Sequence, residues 1–251
     1  MRIDIWSDIV CPFCYVGKRN LELALAEFEH RDDVEVVWHS FELDPSATEH
    51  PAGSLPELIA GKYQIPLEQA IASQESLAER AREVGLDFNW RQALYGNTFD
   101  AHRVIHYAAE QGLASAAQEA FKKAYFTQGR SVQDHESILD IASEIGLDTA
   151  EVEAVLKSDR YAADVRADEQ LARQLGITGV PFFLIESKWA VSGAQPAKML
   201  VQALRQVWEE THSVEFLSPL AGAAGDVAGD GATEAGSVTA GASCDVNGNC
   251  S

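Results

Sequence analysis

A Cys-Pro-Phe-Cys motif at residues 11–14 is the feature that most restricts how this chain can fold. Residues 2–6 before it alternate charged and apolar side chains, as a half-buried strand does. A helical pattern follows over about residues 15–29, and a β-rich run then covers residues 34–43. Strand, helix and strand in this order predict a βαβ unit with parallel pairing, and the motif lies where its first strand meets its helix.

The hydrophobic period is helical over residues 46–158, and no strand-like run interrupts it. Three glycines, each followed by leucine, mark helix ends in this stretch: Gly85, Gly112 and Gly146. We therefore predict that residues 46–158 form an all-helical insertion.

Strand-like runs return after the helical stretch. We predict a helix over about residues 160–175, a buried strand over residues 179–185, a second strand over residues 189–193 and a last helix over about residues 196–210. Only three residues separate the two strands, which indicates a hairpin.

The two thiols of the motif are placed for redox chemistry. A thiol at a helix N-terminus faces free N–H groups and the positive end of the helix dipole, so we expect a lowered pKa at Cys11. Cys14 lies one turn further on, where it can attack a mixed disulfide. Pro12 suits the first turn, because its missing N–H would be unpaired there. The alternative is half of a zinc site, but the other cysteine pair has a looser spacing than structural zinc sites use.

Together these elements follow the order of a thioredoxin fold. We predict an α/β protein with a thioredoxin-like domain over residues 1–45 and 159–212. The all-helical insertion and a flexible C-terminal tail over residues 213–251 complete it. The tail is acidic, rich in Ala and Gly, and carries the second cysteine pair, Cys244 and Cys250.

Several segments resemble the DsbA-like thiol oxidoreductases, and in particular their cytoplasmic FrnE-type branch. The matching segments are residues 5–19 around the motif, Phe41-Glu42-Leu43-Asp44-Pro45, residues 97–103 and residues 176–183. The resemblance covers roughly residues 2–210.

The resemblance implies an enzyme that oxidises, reduces or isomerises protein disulfides, with Cys11 as nucleophile and Cys14 as the resolving thiol. It implies that Pro181 is cis and faces the thiols, and that the Val180 backbone pairs with a bound polypeptide. The expected partners are unfolded or disulfide-containing proteins and a recycling system of the thioredoxin or glutathione type. A cytoplasmic location favours isomerase or reductase activity.

Two other functions stay open. The chain is similar, more weakly, to the kappa-class glutathione transferases and the hydroxychromene carboxylate isomerases, in which serine stands at the position of Cys11. A non-catalytic holdase that binds unfolded chains is the third possibility.

Other side chains are candidates for tuning or for a substrate groove. Asp8 could shape the turn or tune the thiols, and Glu42 is either a buried acid near Cys14 or a solvated one. Phe13 is expected on an apolar peptide-binding face, and His102 is a candidate for a groove over the thiols. His102 and His106 have the spacing of helical metal ligands, but no third ligand is apparent, so we expect neither a metal nor a cofactor.

Charge and hydropathy limit the possible partners. The formal net charge is −20, which argues against nucleic acid and anionic membrane surfaces because like charges repel. No apolar run is long enough to span a membrane, and the N-terminus has no secretory-signal pattern, so we expect a cytoplasmic protein.

The tail cysteines could take part in turnover. A flexible segment from about residue 210 to Cys244 would span roughly 30–35 Å, enough to reach the motif. We therefore expect that Cys244 and Cys250 either exchange disulfides with Cys11 and Cys14 or pair only with each other.

Overall fold

A computed structural model describes residues 1–48, residues 52–212 and the backbone of a two-residue strand at 244–245. The predicted flexible linker before that strand, and Cys250 after it, lie outside the described residues. The strands are β1 (Arg2–Ser7), β2 (Glu35–Ser40), β3 (Gly179–Val180), β4 (Phe182–Ile185), β5 (Trp189–Ser192) and β6 (Cys244–Asp245). The helices are α1 (Pro12–Glu27), α2 (Leu55–Tyr63), α3 (Leu67–Glu83), α4 (Phe99–Glu110), α5 (Ala114–Phe126), α6 (His135–Glu144), α7 (Thr149–Leu156), α8 (Ala162–Gln174) and α9 (Ala197–His212).

Four strands form a mixed sheet in the order β2-β1-β4-β5. Strand β1 pairs in parallel with β2, as the βαβ pattern predicts, and it pairs antiparallel with β4 on its other side. Ile3 and Ile5 of β1 are buried with Phe183 and Ile185 of β4 in the core between the sheet and helices α1 and α9. The chain therefore has the predicted thioredoxin-like fold.

Helices α2 to α7 form the helical insertion, which has its own apolar core. That core also takes in Ile9 and Tyr15, which flank the cysteine motif, so the insertion packs directly on the start of α1. The three predicted helix ends are confirmed, because Gly85, Gly112 and Gly146 all have φ between +72° and +83°.

Two local predictions differ from the structure. Helix α1 begins at Pro12, three residues earlier than the apolar pattern indicates, because Cys11 acts as its N-cap. The predicted strand over residues 179–185 is divided at Pro181 into β3 and β4. Strand β3 does not join the four-stranded sheet; it pairs antiparallel with β6, with Val180 opposite Cys244.

None of the helices that the structure describes is both long enough and apolar enough to cross a membrane.

A largely buried histidine joins strands β1 and β2 to helix α8. His39 of β2 lies with one ring nitrogen 2.7 Å from Asp168 Oδ1 of α8 and the other 2.8 Å from Asp4 Oδ1 of β1. The ring also stacks on Trp6, which is buried in the core as predicted. Burial lowers the pKa of His39, but the two carboxylates outweigh it and raise that pKa above its ordinary value. Burial raises the pKa of Asp168, whereas hydrogen bonds from His106 and His39 bring it down to about 2.

We predict that His39→Gln removes a pH-dependent part of the stability. A raised histidine pKa stabilises the fold fully below the unfolded value near 6.5, and this stabilisation is lost as pH rises through the folded value. The lowered pKa of Asp168 acts in the opposite sense, and its contribution is lost as pH falls from about 4 towards 2. In urea unfolding, the free energy of unfolding of His39→Gln should therefore fall furthest below that of the unsubstituted protein near pH 5–6. The difference should be smaller above pH 8. The exposed pair of His135 and Asp100 supplies the control variant, His135→Gln, which should show almost no deficit. A deficit that does not change with pH would contradict the prediction.

Candidate active site

The two thiols lie at the N-terminus of α1 in the core of the molecule. Cys11 is the N-cap and Pro12 occupies the first turn, as predicted, while Cys14 follows one turn later. Both cysteines are free thiols, and both are buried, Cys11 with no exposed surface. The Cys11 thiol donates a weak hydrogen bond to the Val180 carbonyl, 3.6 Å away, so the structure brings together the sites predicted at residues 11 and 180.

The Val180–Pro181 peptide bond is cis, as the resemblance implied. Helix α1 packs closely on this loop at Gly17, where an added Cβ would lie 2.9 Å from Pro181 Cγ and 3.4 Å from Phe183 Cζ. A glycine is therefore required for α1 to approach the proline ring. The contact thus limits how closely α1 can approach Pro181.

The expected low pKa at Cys11 is wrong for the buried dithiol. Burial raises the pKa of Cys11 well above the ordinary thiol value, and its hydrogen bond with Cys14 raises it further. For Cys14, burial also raises the pKa, but the hydrogen bond from Cys11, the charge of Lys122 and the Ser7 hydroxyl outweigh it, so this pKa is lowered. The hydrogen bond that the two thiols share therefore favours the charged form at Cys14, where Lys122 and Ser7 also act, and opposes it at Cys11.

Asp8 both shapes the turn and contacts the insertion. Its Oδ1 accepts a hydrogen bond from the Ile9 backbone at 2.6 Å, and its Oδ2 accepts one from the Leu43 backbone at 2.8 Å. His102 of α4 places Nε2 3.3 Å from Oδ1. Burial raises the pKa of Asp8, but His102, the Leu43 amide and Lys122 bring it below its ordinary value. The carboxylate is therefore stable as an anion although it is fully buried.

Two predicted groove residues do not face an open groove. His102 has no exposed surface and pairs with Asp8 behind the thiols. Phe13 is 6% exposed and belongs to an apolar cluster with Trp6, Phe41 and Val180. Both are buried because the insertion and the β3 loop close over the start of α1, a long-range contact that a local pattern does not reveal.

A largely apolar cavity lies beside the motif. Its volume is about 810 Å³, and it is bounded by Val10 and Pro12, by Leu58 and Leu77 of the insertion, and by Tyr125. Pro12, in the first turn of α1, lies at the surface of this cavity.

The remaining acidic and histidine candidates have partners of their own. Of the two alternatives for Glu42, buried or solvated, the structure shows the buried one. Its Oε2 accepts a hydrogen bond from Arg166 of α8. His106 contacts Asp168 at 3.1 Å, whereas His102 contacts Asp8, so the two histidines do not share a ligand position. In the part of the chain that the structure describes, no three His, Cys, Asp or Glu side chains are grouped to hold a metal ion.

Lys122 is the functional candidate that sequence reasoning missed. It is fully buried, and its ammonium lies against the turn that precedes Cys11. The sequence does contain a signal, because Gln118, Phe121, Lys122 and Tyr125 share one face of a helix at the i, i+3, i+4, i+7 spacing. A lysine on the apolar face of a helix must be buried with a partner or must reach the surface.

A dithiol at the start of the first helix, next to a cis-proline in a thioredoxin fold, defines the class of thiol–disulfide oxidoreductases. The chain belongs to the DSBA-like thioredoxin domain family, whose family model matches residues 2–205. Membership of a DsbA-like family is thus confirmed.

Two relatives are similar to the chain over most of their length. The crystal structure of a probable DsbA oxidoreductase from Streptomyces coelicolor is 46% identical in sequence and superposes with a TM-score of 0.81, covering 86% of this chain and 94% of the other. YwbO, an uncharacterized protein of Bacillus subtilis strain 168, is 30% identical over 187 residues, which are 74% of this chain and 86% of YwbO.

More distant structures share the fold alone. The cytosolic disulfide reductase DsbM of Pseudomonas aeruginosa, solved with GSH, is 20% identical with a TM-score of 0.57, covering 82% of this chain and all of DsbM. A 2-hydroxychromene-2-carboxylate isomerase is 16% identical with a TM-score of 0.63, covering 84% and 98% of the two chains.

We predict that Gly17→Ala slows thiol–disulfide exchange at Cys11. The new methyl group would push Pro181 and the β3 edge away from α1, since a 2.9 Å contact with a ring carbon cannot be accommodated in place. The rate of exchange with glutathione disulfide checks this, and it should fall about tenfold. The control is Gly61→Ala, where an added Cβ meets nothing within 4 Å and helix α2 should become slightly more stable. An unchanged rate in Gly17→Ala would show that the contact does not position the thiol.

Proposed function

We propose that the chain is a thiol–disulfide oxidoreductase of protein substrates, with Cys11 as the attacking sulfur and Cys14 as the resolving sulfur. The observation that carries this proposal is the 3.6 Å contact between Cys11 Sγ and the carbonyl of Val180, next to the cis-proline. Strand β3 offers the backbone groups of Gly179 and Val180 for antiparallel pairing, which is how an extended peptide adds to a sheet edge.

The reaction can be written for reduction of a substrate disulfide. The Cys11 sulfur attacks one sulfur of the substrate, whose S–S bond breaks and releases one thiolate, which takes the proton given up by Cys11. The Cys14 sulfur then attacks Cys11, forms the Cys11–Cys14 bond and releases the second substrate thiolate, which takes the proton given up by Cys14. Two electrons pass from the dithiol to the substrate, and oxidation of a substrate dithiol is the same sequence in reverse.

The partners proposed from the sequence follow from this chemistry. An oxidised Cys11–Cys14 pair has to be reduced, or a reduced pair oxidised, before the next turnover, which requires a thiol system of the thioredoxin or glutathione type. A cytoplasmic location, and membership of the FrnE-type branch, stay predictions.

We predict that Cys11→Ser abolishes insulin reduction and the reactivation of scrambled ribonuclease. Cys14→Ser should lose turnover but accumulate a mixed disulfide between Cys11 and the substrate, because the resolving sulfur is missing. Mass spectrometry of the trapped species checks which sulfur attacks. A Cys14→Ser variant that keeps full activity on a small molecule with glutathione would favour the transferase or isomerase alternative. Binding of unfolded chains without either thiol would favour a holdase.

We propose further that the C-terminal segment regulates the site or exchanges disulfides with it. The pairing of β6 with β3, with Cys244 opposite Val180, supports this, because β6 lies on the edge proposed for substrates. Cys11 has no exposed surface in this arrangement. We propose that β6 has to leave the edge of β3 before a polypeptide can pair there and reach this thiol.

We predict that two tail variants of the full chain separate these roles. Asp245→Pro removes a backbone donor from β6 while it keeps both cysteines, and it should make alkylation of Cys11 several-fold faster. Replacement of Cys244 and Cys250 by serine leaves the backbone pairing possible and should change turnover without changing that alkylation rate. Equal turnover and equal alkylation rates in the unsubstituted protein, Asp245→Pro and the double serine variant would eliminate a role for the tail.

A further inference from the structure

Lys122 is a buried cation without a carboxylate partner among the residues that the structure describes. Its Nζ donates to the Asp8 backbone carbonyl at 3.0 Å and to Gln118 Oε1 at 2.8 Å, both of which are neutral acceptors. The side chain has no exposed surface. Burial of a charge that is not paired is strongly unfavourable, so an ammonium in this position needs an anion nearby. An ammonium has three donors, and these two contacts account for only two of them.

The packing of α5 on α1 indicates which anion it is. Glu119 of α5 accepts hydrogen bonds from three side chains of α1: the Tyr15 hydroxyl at 2.8 Å, Lys18 Nζ at 2.6 Å and Arg19 Nη2 at 3.3 Å. Cys14 lies one turn before Lys18 on α1, and Lys122 lies one turn after Glu119 on α5. The contact of Lys122 with the carbonyl of Asp8, just before α1, shows that the two helices run antiparallel here. Lys122 and Cys14 are therefore brought to the same level of the helix pair.

We propose that Lys122 is the counter-ion of the Cys14 thiolate and thereby stabilises the dithiol form of the Cys11–Cys14 pair relative to its disulfide. It is a positioning residue that acts through Cys14, and the proposal rests on the dithiol–disulfide chemistry assigned above. No sequence motif marks it, because the cation comes from the helical insertion and the thiols come from the thioredoxin-like domain.

The charges around the pair agree with this assignment. Burial lowers the pKa of Lys122, and the charges of Cys14, Asp8 and Cys11 oppose that effect, Cys14 most strongly. The like charge of Lys18 on α1 lowers the pKa of Lys122 further. The Lys18 ammonium is itself paired with Glu22 and Glu119. Asp8 is in turn held by His102 and two backbone amides, which leaves Cys14 as the facing anion that is not otherwise neutralised.

The proposal assigns distinct tasks to the two sulfurs. When a substrate thiolate attacks the Cys11–Cys14 disulfide at Cys11, the bond breaks and Cys14 leaves with the electron pair, while the new bond joins Cys11 to the substrate. A leaving thiolate of lowered pKa departs faster, so Lys122 would accelerate this step. A stabilised dithiol also makes the disulfide form a stronger oxidant, which opposes the reductase direction that a cytoplasmic location favours.

The test compares Lys122→Met with Lys123→Met in the full chain. Lys123 is the neighbouring lysine on α5 and is exposed, so its variant removes the same charge from solvent. The thiolate ultraviolet absorbance of Cys14 is titrated in a background with Cys11, Cys244 and Cys250 replaced by serine. The equilibrium of the Cys11–Cys14 pair with a glutathione redox buffer is measured with Cys11 restored.

We expect Lys122→Met to reduce the thiolate fraction of Cys14 about tenfold near neutral pH and to shift the equilibrium about tenfold towards the disulfide. For a two-electron couple this shift makes the potential about 30 mV more negative. Lys123→Met should leave both quantities unchanged. Equal thiolate fractions and equal equilibria in the two variants would overturn the proposal.

A second measurement uses the unsubstituted protein, in case Lys122→Met does not fold. Thiolate and ammonium must stabilise each other equally, so oxidation of the pair should lower the pH at which the Lys122 side-chain nitrogen titrates by NMR. Identical titrations of Lys122 in the dithiol and disulfide forms would overturn the proposal. Neither measurement uses a protein substrate, so inactivity on protein disulfides would contradict the proposed function alone.

Discussion

The buried carboxylate of Asp8 connects the parts of the molecule that form the site. A fully buried anion must have its oxygens satisfied, and Asp8 obtains its partners from three places: its own turn, the segment after β2 and helix α4 of the insertion. Its backbone carbonyl accepts a fourth hydrogen bond, from Lys122 of α5. The turn that precedes the thiols is therefore fixed by hydrogen bonds to Asp8 from both the thioredoxin-like part of the chain and the helical insertion.

Much of the framework follows from local patterns in the sequence. The alternation in residues 2–6 and the apolar stripe of α1 are properties of single elements, and they predict the βαβ unit correctly. The cis bond at Pro181 follows from a family resemblance rather than from residue spacing. The apolar run over residues 179–185 predicts one strand, but the structure divides it at Pro181, which has no N–H to donate within a sheet.

The environment of the thiols could not be predicted in the same way. A helix N-terminus lowers the pKa of a solvated thiol, but Cys11 has no exposed surface, and burial acts in the opposite direction with greater effect. The burial of Phe13 and His102 depends on how the insertion closes over α1, which involves residues about 90 positions away in the chain. Lys122 was detectable only as a charged residue in phase with an apolar helix face.

Helix α5 contacts the turn before the thiols on one side and the apolar cavity on the other. Lys122 contacts the turn before Cys11, and Tyr125 and Phe126, within one turn of it, line the cavity beside Pro12. An occupant of the cavity that displaces α5 would change the distance between the ammonium and the turn. Occupancy and oxidation state would then be thermodynamically linked, and each would alter the equilibrium of the other by the same factor.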